Sequence, residues 1–215
     1  MRTMHEDTRG WDAIEASVAQ VVTDPSPLHW GTGALPGQTG IYGLSAYRAD
    51  DHWLLVTFGL TDLFGQDEGA EVSGWGFELT MRVPRTGEQP PAWALNLLDK
   101  LGQYVFSSEQ PLAAGHRMDP GGPITGEPGT RLTALAFTED PHLPRIESAL
   151  GRAIFLTVVG ITAEELAQMK ATSTDQVLAT LSPLRLTDPE RLTDPLRLTD
   201  PGRLTDPGRL TDPGR

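Results

Sequence analysis

A hexapeptide repeat near the carboxyl end sets the strongest limit on what this chain can fold into. From Arg185 onward the pattern Arg-Leu-Thr-Asp-Pro-x occurs five times in succession, and the sequence stops at Arg215. A period of six does not match the helical turn of 3.6 residues, and a proline in every repeat breaks helices and interrupts strand pairing. One leucine per repeat buries too little apolar surface to offset the entropy of ordering the chain. The repeats therefore predict a disordered or extended tail.

Two further interpretations of the tail stay open. In polyproline II geometry six residues make two full turns, so the leucines would line up and could present an array of short linear motifs. Alternatively, the repetition is a recent expansion of the coding DNA with no selected role.

The acidic charge of the protein lies entirely outside the repeats. The chain carries 17 Lys and Arg against 29 Asp and Glu, a net charge of −12. Within the repeats the six arginines balance five aspartates and Glu190, so the first 184 residues hold the whole excess. An acidic surface repels nucleic acid and anionic lipid and attracts basic partners. We therefore expect a basic protein partner, and neither nucleic acid nor a membrane.

The sequence offers little that could carry catalysis or bind a metal. It has no cysteine, which excludes disulfides, thiol catalysis and Cys-ligated metal sites. No two of the five histidines lie closer than 23 positions, so no helical metal pair is possible. No glycine-containing segment completes a nucleophile elbow, a dinucleotide fingerprint or a phosphate loop. We expect no cofactor, no metal and no catalytic residue. Without an apolar leader or a membrane-spanning run, a cytoplasmic location is expected.

Apolar periodicity predicts an α+β fold, with a mainly antiparallel mixed sheet flanked by helices. Helices are predicted at 8–22, 93–106, 162–170 and 174–181, and strands at 41–47, 53–58, 75–83, 132–137 and 153–159. The 75–83 strand alternates, with Glu78, Thr80 and Arg82 opposite its apolar face, and the 153–159 strand is apolar on both faces and therefore central. We predict one domain at 10–182, between a flexible segment at 1–9 and the repeat tail at 183–215.

Six short blocks, in order, resemble the suppressor of fused family. They are His52-Trp-Leu-Leu-Val-Thr-Phe-Gly-Leu-Thr-Asp-Leu-Phe-Gly65, Ser73-Gly-Trp-Gly-Phe-Glu-Leu-Thr-Met-Arg82, Pro91-Ala-Trp93, Gly102-Gln-Tyr-Val-Phe106, Thr138-Glu-Asp-Pro141 and Val158-Val-Gly-Ile-Thr-Ala-Glu-Glu-Leu166. The resemblance spans about residues 10 to 182 and matches only the amino-terminal domain of the animal protein. None of the blocks matches the second domain of the animal protein, and we expect the repeat tail to stand outside the family pattern.

The resemblance implies a non-catalytic protein-binding module. The animal protein clamps an extended segment of a Gli-type transcription factor as an added strand, and the positions that match this groove include Tyr104, Glu139 and Asp140. Stand-alone bacterial members of the family are thought to act as immunity proteins that neutralise toxins. Fifteen arginines against two lysines suggest a GC-rich bacterial genome. This favours an immunity-type protein; the alternatives are an adaptor that sequesters a basic transcription factor and an enzyme with an unrecognised site.

Five polar residues are the candidates for a partner surface. They lie in or beside the matching blocks, and we expect them to be exposed: Asp62, Glu78, Tyr104, Glu139 and Asp140. Tyrosine is a frequent anchor of interfaces because it combines apolar area with a hydroxyl.

Overall fold

A computed structural model gives the fold of residues 7–33, 40–65 and 68–191. Four helices are present in these ranges: α1 (Arg9–Val18), α2 (Ala92–Ser108), α3 (Ala163–Ala171) and α4 (Thr174–Leu178). Eight strands accompany them: β1 (Leu28–Gly31), β2 (Gly43–Arg48), β3 (His52–Phe58), β4 (Val72–Pro84), β5 (Arg117–Met118), β6 (Leu132–Glu139), β7 (Ile146–Ser148) and β8 (Gly151–Thr162).

The eight strands form one sheet with the order β1-β2-β3-β4-β8-β6-β5, and β7 pairs with β8 beside this path. Neighbouring strands are antiparallel except β4 and β8, which run parallel. The predicted α+β class with a mainly antiparallel mixed sheet is confirmed. β8 lies between β4 and β6, as expected for a strand that is apolar on both faces.

Alternation along the strands divides the buried side chains between the two faces of the sheet. On one face, Leu79 and Met81 of β4 pack with Leu98 and Leu101 of α2 in the largest core cluster. On the other face, α1 covers the β2 and β3 side, with Ile146 of β7 packed beside it, whereas α3 and α4 cover the β6 and β8 side. We call these the α2 face and the opposite face.

Local signals placed most elements correctly, with bounds that differ by a few residues. A capping box opens α3: the Thr162 hydroxyl accepts a hydrogen bond from the Glu165 N–H, and the Glu165 carboxylate accepts one from the Thr162 N–H. The short strands β1, β5 and β7 were not predicted, because two to four residues carry too little periodicity to be recognised.

The packed chain continues beyond residue 182, where the sequence placed its end. Leu186 forms a parallel bridge with Arg82, and Thr187 is fully buried. β4 and β8 separate after the pair Thr80–Thr157, and this first repeat occupies the opening between them. The boundary at 183 was therefore wrong for the first repeat, because its polar atoms bond to residues far away in the sequence. The predicted segment 1–9 and the tail beyond 191 lie largely or wholly outside the described residues.

Candidate functional site

Tyr104 lies on the outer side of α2, where it is 41% exposed. The helix buries a stripe made of Ala94, Leu98, Leu101 and Val105, which faces the sheet. Tyr104 is next to this stripe and projects beyond it. Among the described residues it is the one aromatic side chain in the small group of exposed large hydrophobic residues, with Val21 and Val72. An aromatic ring held on a rigid helix loses little conformational entropy when a partner covers it.

Glu139 ends β6 and carries an exposed ion pair. Arg145 donates to its two carboxylate oxygens, Nε to Oε1 at 3.0 Å and Nη2 to Oε2 at 3.2 Å. Glu139 pairs across the sheet with Leu156, which belongs to the core of the α2 face. Directly paired residues share a face, so the Glu139 side chain lies on the α2 face.

Tyr104 and Glu139 therefore share one face of the molecule. The carboxyl-terminal part of α2 lies over the beginning of β4, since the rings of Phe106 and Trp75 meet edge to face at 5.9 Å. Glu139 lies at the level of Leu79 in the neighbouring strands. From the spacing of strands and residues, the separation between the Trp75 and Glu139 positions is on the order of 15 Å. One extended segment of a partner could contact both ends of this surface.

Asp140 is on the other face and is buried, against the expectation of exposure. Its side chain is paired with the guanidinium of Arg82, Nη1 to Oδ2 at 2.6 Å and Nη2 to Oδ1 at 3.0 Å. Thr157 donates to Oδ2, and the backbone N–H groups of His142 and Leu143 donate to Oδ1. Asp140 is thus part of the internal structure that closes the turn after β6, and a partner at the surface does not reach its carboxylate.

The pKa of Asp140 reflects two opposing effects. Burial raises the pKa of this carboxyl, but hydrogen bonds and charge from Arg82, with help from the two backbone N–H groups, lower it to about 2. Asp140 is therefore ionised at neutral pH, and its charge is cancelled by that of Arg82.

Glu78 is also buried, so its predicted exposure was wrong. Oε1 accepts hydrogen bonds from the backbone N–H groups of Gly59, Leu60 and Thr61 and from the Thr61 hydroxyl, at 2.8–3.1 Å. Oε2 accepts one from the Thr57 hydroxyl at 2.6 Å. Burial raises the pKa of Glu78 to about 7, although these hydrogen bonds oppose the shift. Glu78 holds the turn after β3 in place by satisfying its backbone donors.

Asp62 is partly exposed and belongs to the same turn. Its carboxylate accepts a hydrogen bond from the N–H of Phe64 at 3.2 Å, and its backbone N–H donates to the Ser73 hydroxyl at 2.9 Å. Asp62 lies in the turn between β3 and β4, away from Tyr104 on α2 and from Glu139 at the end of β6. It serves the turn that precedes β4.

A cleft of about 320 Å³ on the opposite face was missed by the sequence analysis. It is lined by the turn after α1, the β2–β3 hairpin, the end of β4 and two loops: Val21, Val22, Ala49, His52, Leu54, Arg82, His142 and Leu184. Only the tertiary structure brings these five segments together, so no local signal could have revealed the cleft. The guanidinium of Arg82 in its wall is already bonded to Asp140.

The described part of the chain contains neither a metal-binding cluster nor a helix that could span a membrane. No group of three or more His, Cys, Asp or Glu side chains is placed to hold a metal ion within residues 7–33, 40–65 and 68–191. Over the same residues, none of the helices combines the length and the apolar character required to cross a bilayer.

Comparison with known proteins identifies the family. The family model described as suppressor of fused protein matches residues 37–203. The match extends past residue 182 into the repeats. These repeats were expected to lie outside the family pattern.

The curated relatives and solved structures agree with this match. The suppressor of fused homologues of Homo sapiens and Mus musculus are each 36% identical over 132 residues, which cover 58% of this chain and 27% of theirs. This chain therefore spans about a quarter of their length. The crystal structure of a Sufu–Fu complex matches with a TM-score of 0.80 at 28% identity, covering 90% of this chain and 95% of that one. Drosophila suppressor of fused matches with a TM-score of 0.79 at 28% identity, covering 90% of this chain and 52% of that one.

A homologue from Neisseria gonorrhoeae has the same fold, with a TM-score of 0.59 at 12% identity over 88% of this chain and 97% of that one. Sequence, relatives and topology thus lead to one conclusion. The chain belongs to the suppressor of fused family.

Proposed function

We propose that this protein is a non-catalytic module that binds another protein through the surface formed by Tyr104 and Glu139. The observation that carries the proposal is the exposed position of both residues on the α2 face, in a chain of this family. The related chain in the Sufu–Fu complex supports protein binding as the general activity. An exposed tyrosine and a carboxylate at the two ends of one surface suit an extended partner segment that carries an apolar side chain near one end and a basic one near the other.

The partner in this proposal is a basic protein. The net charge of −12 lies in the first 184 residues, and it would speed the encounter with a basic surface at low salt. We propose that the partner is a toxin, which the protein neutralises in the cytoplasm in the manner of an immunity protein. A regulator that sequesters a basic transcription factor is the second candidate, favoured by the similarity to the suppressor of fused homologues of animals.

Affinity purification from the source organism, with the intact protein as bait, tests the proposal. We expect one basic protein to be retained, and the Tyr104→Ala variant to lose it by at least about 30-fold in affinity, the equivalent of a 2 kcal/mol hot spot. Thermal unfolding of the variant should stay close to that of the wild type, because Tyr104 lies outside the buried stripe. The gene of the retained partner is then expressed with and without this protein. A toxin arrests growth alone and the protein relieves the arrest, whereas a transcription factor does not arrest growth.

A matched control comes from the opposite face. Val21 is 42% exposed and lines the cleft there, so Val21→Ser perturbs an exposed apolar side chain at a different place. Retention of the partner by Val21→Ser and its loss by Tyr104→Ala support the α2 face. The reverse pattern would assign binding to the cleft and reject the proposed surface.

A further inference from the structure

The first repeat occupies a built site at the carboxyl ends of β4 and β8. Thr187 donates its backbone N–H to the Arg82 carbonyl at 2.8 Å, and its hydroxyl oxygen accepts the N–H of Gly160 at 2.9 Å. Arg191 binds both carboxylate oxygens of Glu165, with Nη2 to Oε2 at 2.8 Å, and also donates to the Gly160 carbonyl. We call Arg82, Gly160, Glu165 and the neighbouring Thr130 the repeat dock.

The repeat dock is a specific binding site, because it provides a buried charge, space for the repeat and a hydrogen-bond donor. Glu165 is 1% exposed, so Arg191 is the cation that compensates a buried carboxylate. Gly160 makes room for the repeat, since a Cβ there would come within 2.7 Å of the Thr187 methyl group. Thr130 adds a hydrogen bond from its hydroxyl to the Pro189 carbonyl at 2.9 Å.

The residues that contact the dock are those that recur in every repeat. Leucine forms the bridge, threonine makes two hydrogen bonds, the proline carbonyl accepts one, and the arginine that opens the next repeat pairs with Glu165. Asp188 accepts the Arg191 N–H through its backbone carbonyl and the Glu190 N–H through its carboxylate, which closes a turn with proline in its second position. Glu190, at the variable position, is exposed.

The unit Leu-Thr-Asp-Pro-x-Arg is present in five complete copies. The first is Leu186–Arg191, and the others are 192–197, 198–203, 204–209 and 210–215, with Leu or Gly at the variable position. Because no docking contact uses that side chain, each copy carries every group that the first one uses. Glycine at the third position of a turn imposes no steric conflict.

We propose that the repeat dock is a receptor for this six-residue unit, and that the later repeats of the same chain exchange with the first as its occupant. Moving the second repeat into the dock leaves only six more residues in the connecting loop, and closing a loop of that size costs little more than closing a shorter one. A tethered copy is also present at a high effective concentration. Identical ligands on one tether therefore compete for one site.

Substitution of the conserved threonine in the full-length protein tests this exchange. Valine has the shape of threonine but cannot accept the Gly160 N–H, so a docked valine leaves that buried donor without its partner. Three variants are compared: Thr187→Val alone; the same change at Thr193, Thr199, Thr205 and Thr211 together; and all five changes. The readouts are the thermal midpoint and the hydrogen exchange of the Gly160 amide.

Exchange predicts a strongly non-additive result. The single and the fourfold variants should each stay within about 2 °C of the wild type and keep the Gly160 amide protected, because an intact repeat still fills the dock. The fivefold variant should lose about 5 °C or more, or fail to fold, and lose that protection. A single Thr187→Val variant as unstable as the fivefold one would show a fixed register and refute the proposal. A fivefold variant with the thermal midpoint of the wild type would also refute it. So would a single variant that regains its stability only at high protein concentration, because the dock would then be filled by a repeat from a second copy.

Discussion

Replacement of Asp140 by asparagine should destabilise the protein strongly, whereas replacement of its neighbour, the exposed Glu139, should change the stability little. All polar neighbours of the Asp140 carboxylate are donors: the Arg82 guanidinium, the hydroxyls of Thr80 and Thr157, and two backbone N–H groups. An asparagine amide must point its NH₂ group at one set of these donors. It also leaves the Arg82 guanidinium, whose side chain is 3% exposed, without a counter-charge.

Two arguments set the magnitude of this loss. A native pKa of about 2 against an ordinary value of 3.8 corresponds to about 2 kcal/mol in favour of the ionised form at neutral pH. Removal of one partner from a buried ion pair typically costs about 3–5 kcal/mol, because the remaining charge stays desolvated. The second figure is the better guide, since the variant adds a donor–donor conflict that protonation of aspartate would not create. We expect a loss of about 3–5 kcal/mol.

Urea denaturation at neutral pH measures this loss directly, with Glu139→Gln as the matched control. The Glu139–Arg145 pair is exposed, so its removal should cost less than about 1 kcal/mol. The lowered pKa of Asp140 also predicts that its contribution is present above about pH 4 and disappears as the pH falls towards 2. This part of the acid dependence should be missing from Asp140→Asn. Equal stability of the two variants would contradict the role assigned to the buried pair.

Two further predictions concern the other buried carboxylates. Because burial raises the pKa of Glu78 to about 7, its ionisation should lower the free energy of unfolding by about 3 kcal/mol as the pH rises from about 4.5 to 7. Glu78→Gln should abolish this dependence, because an amide does not ionise in this pH range. An unchanged pH profile would show that the pKa of Glu78 is not raised. A chain ending at residue 184 should be less stable than one ending at 191 by about 3 kcal/mol, because it lacks the hydrogen bonds of Thr187 and the pair between Arg191 and Glu165. Equal thermal midpoints would mean that the first repeat adds no stability.

Strand alternation predicted which residues share a face, but not whether that face is covered. Glu78, Thr80 and Arg82 do lie together, opposite the apolar face of β4. A polar face is typical of a strand exposed to water, and this led to the expectation that Glu78 is accessible. In the folded protein, helices and loops cover both faces of the sheet, and each polar group is bonded inside. Coverage depends on elements distant in sequence, such as α1 and α3, and the pattern of one strand does not contain that information.

The repeat tail illustrates the same limit from the opposite direction. Local reasoning correctly predicted the helix that begins near Thr162, because the capping box that opens it lies within four residues. It placed the whole tail outside the domain, because one leucine in six cannot form a core. The first repeat is held instead by polar contacts to Arg82, Gly160 and Glu165. Hydrogen bonds between distant segments leave no periodic signal in either segment, so only the assembled fold reveals them.

The two proposals concern different parts of β8 and can therefore be tested separately. Glu139 of the proposed partner surface pairs with Leu156, whereas the repeat dock is at Gly160, four residues further along the strand. At the rise of an extended strand this is roughly 13 Å. Tyr104 is displaced further in the opposite direction, towards the beginning of β4. A partner bound across Tyr104 and Glu139 thus leaves the dock free, so the fivefold threonine variant, where it folds, should still bind the partner. Occupancy of the dock by a repeat then determines stability, and binding of the partner depends on the acidic surface of the domain.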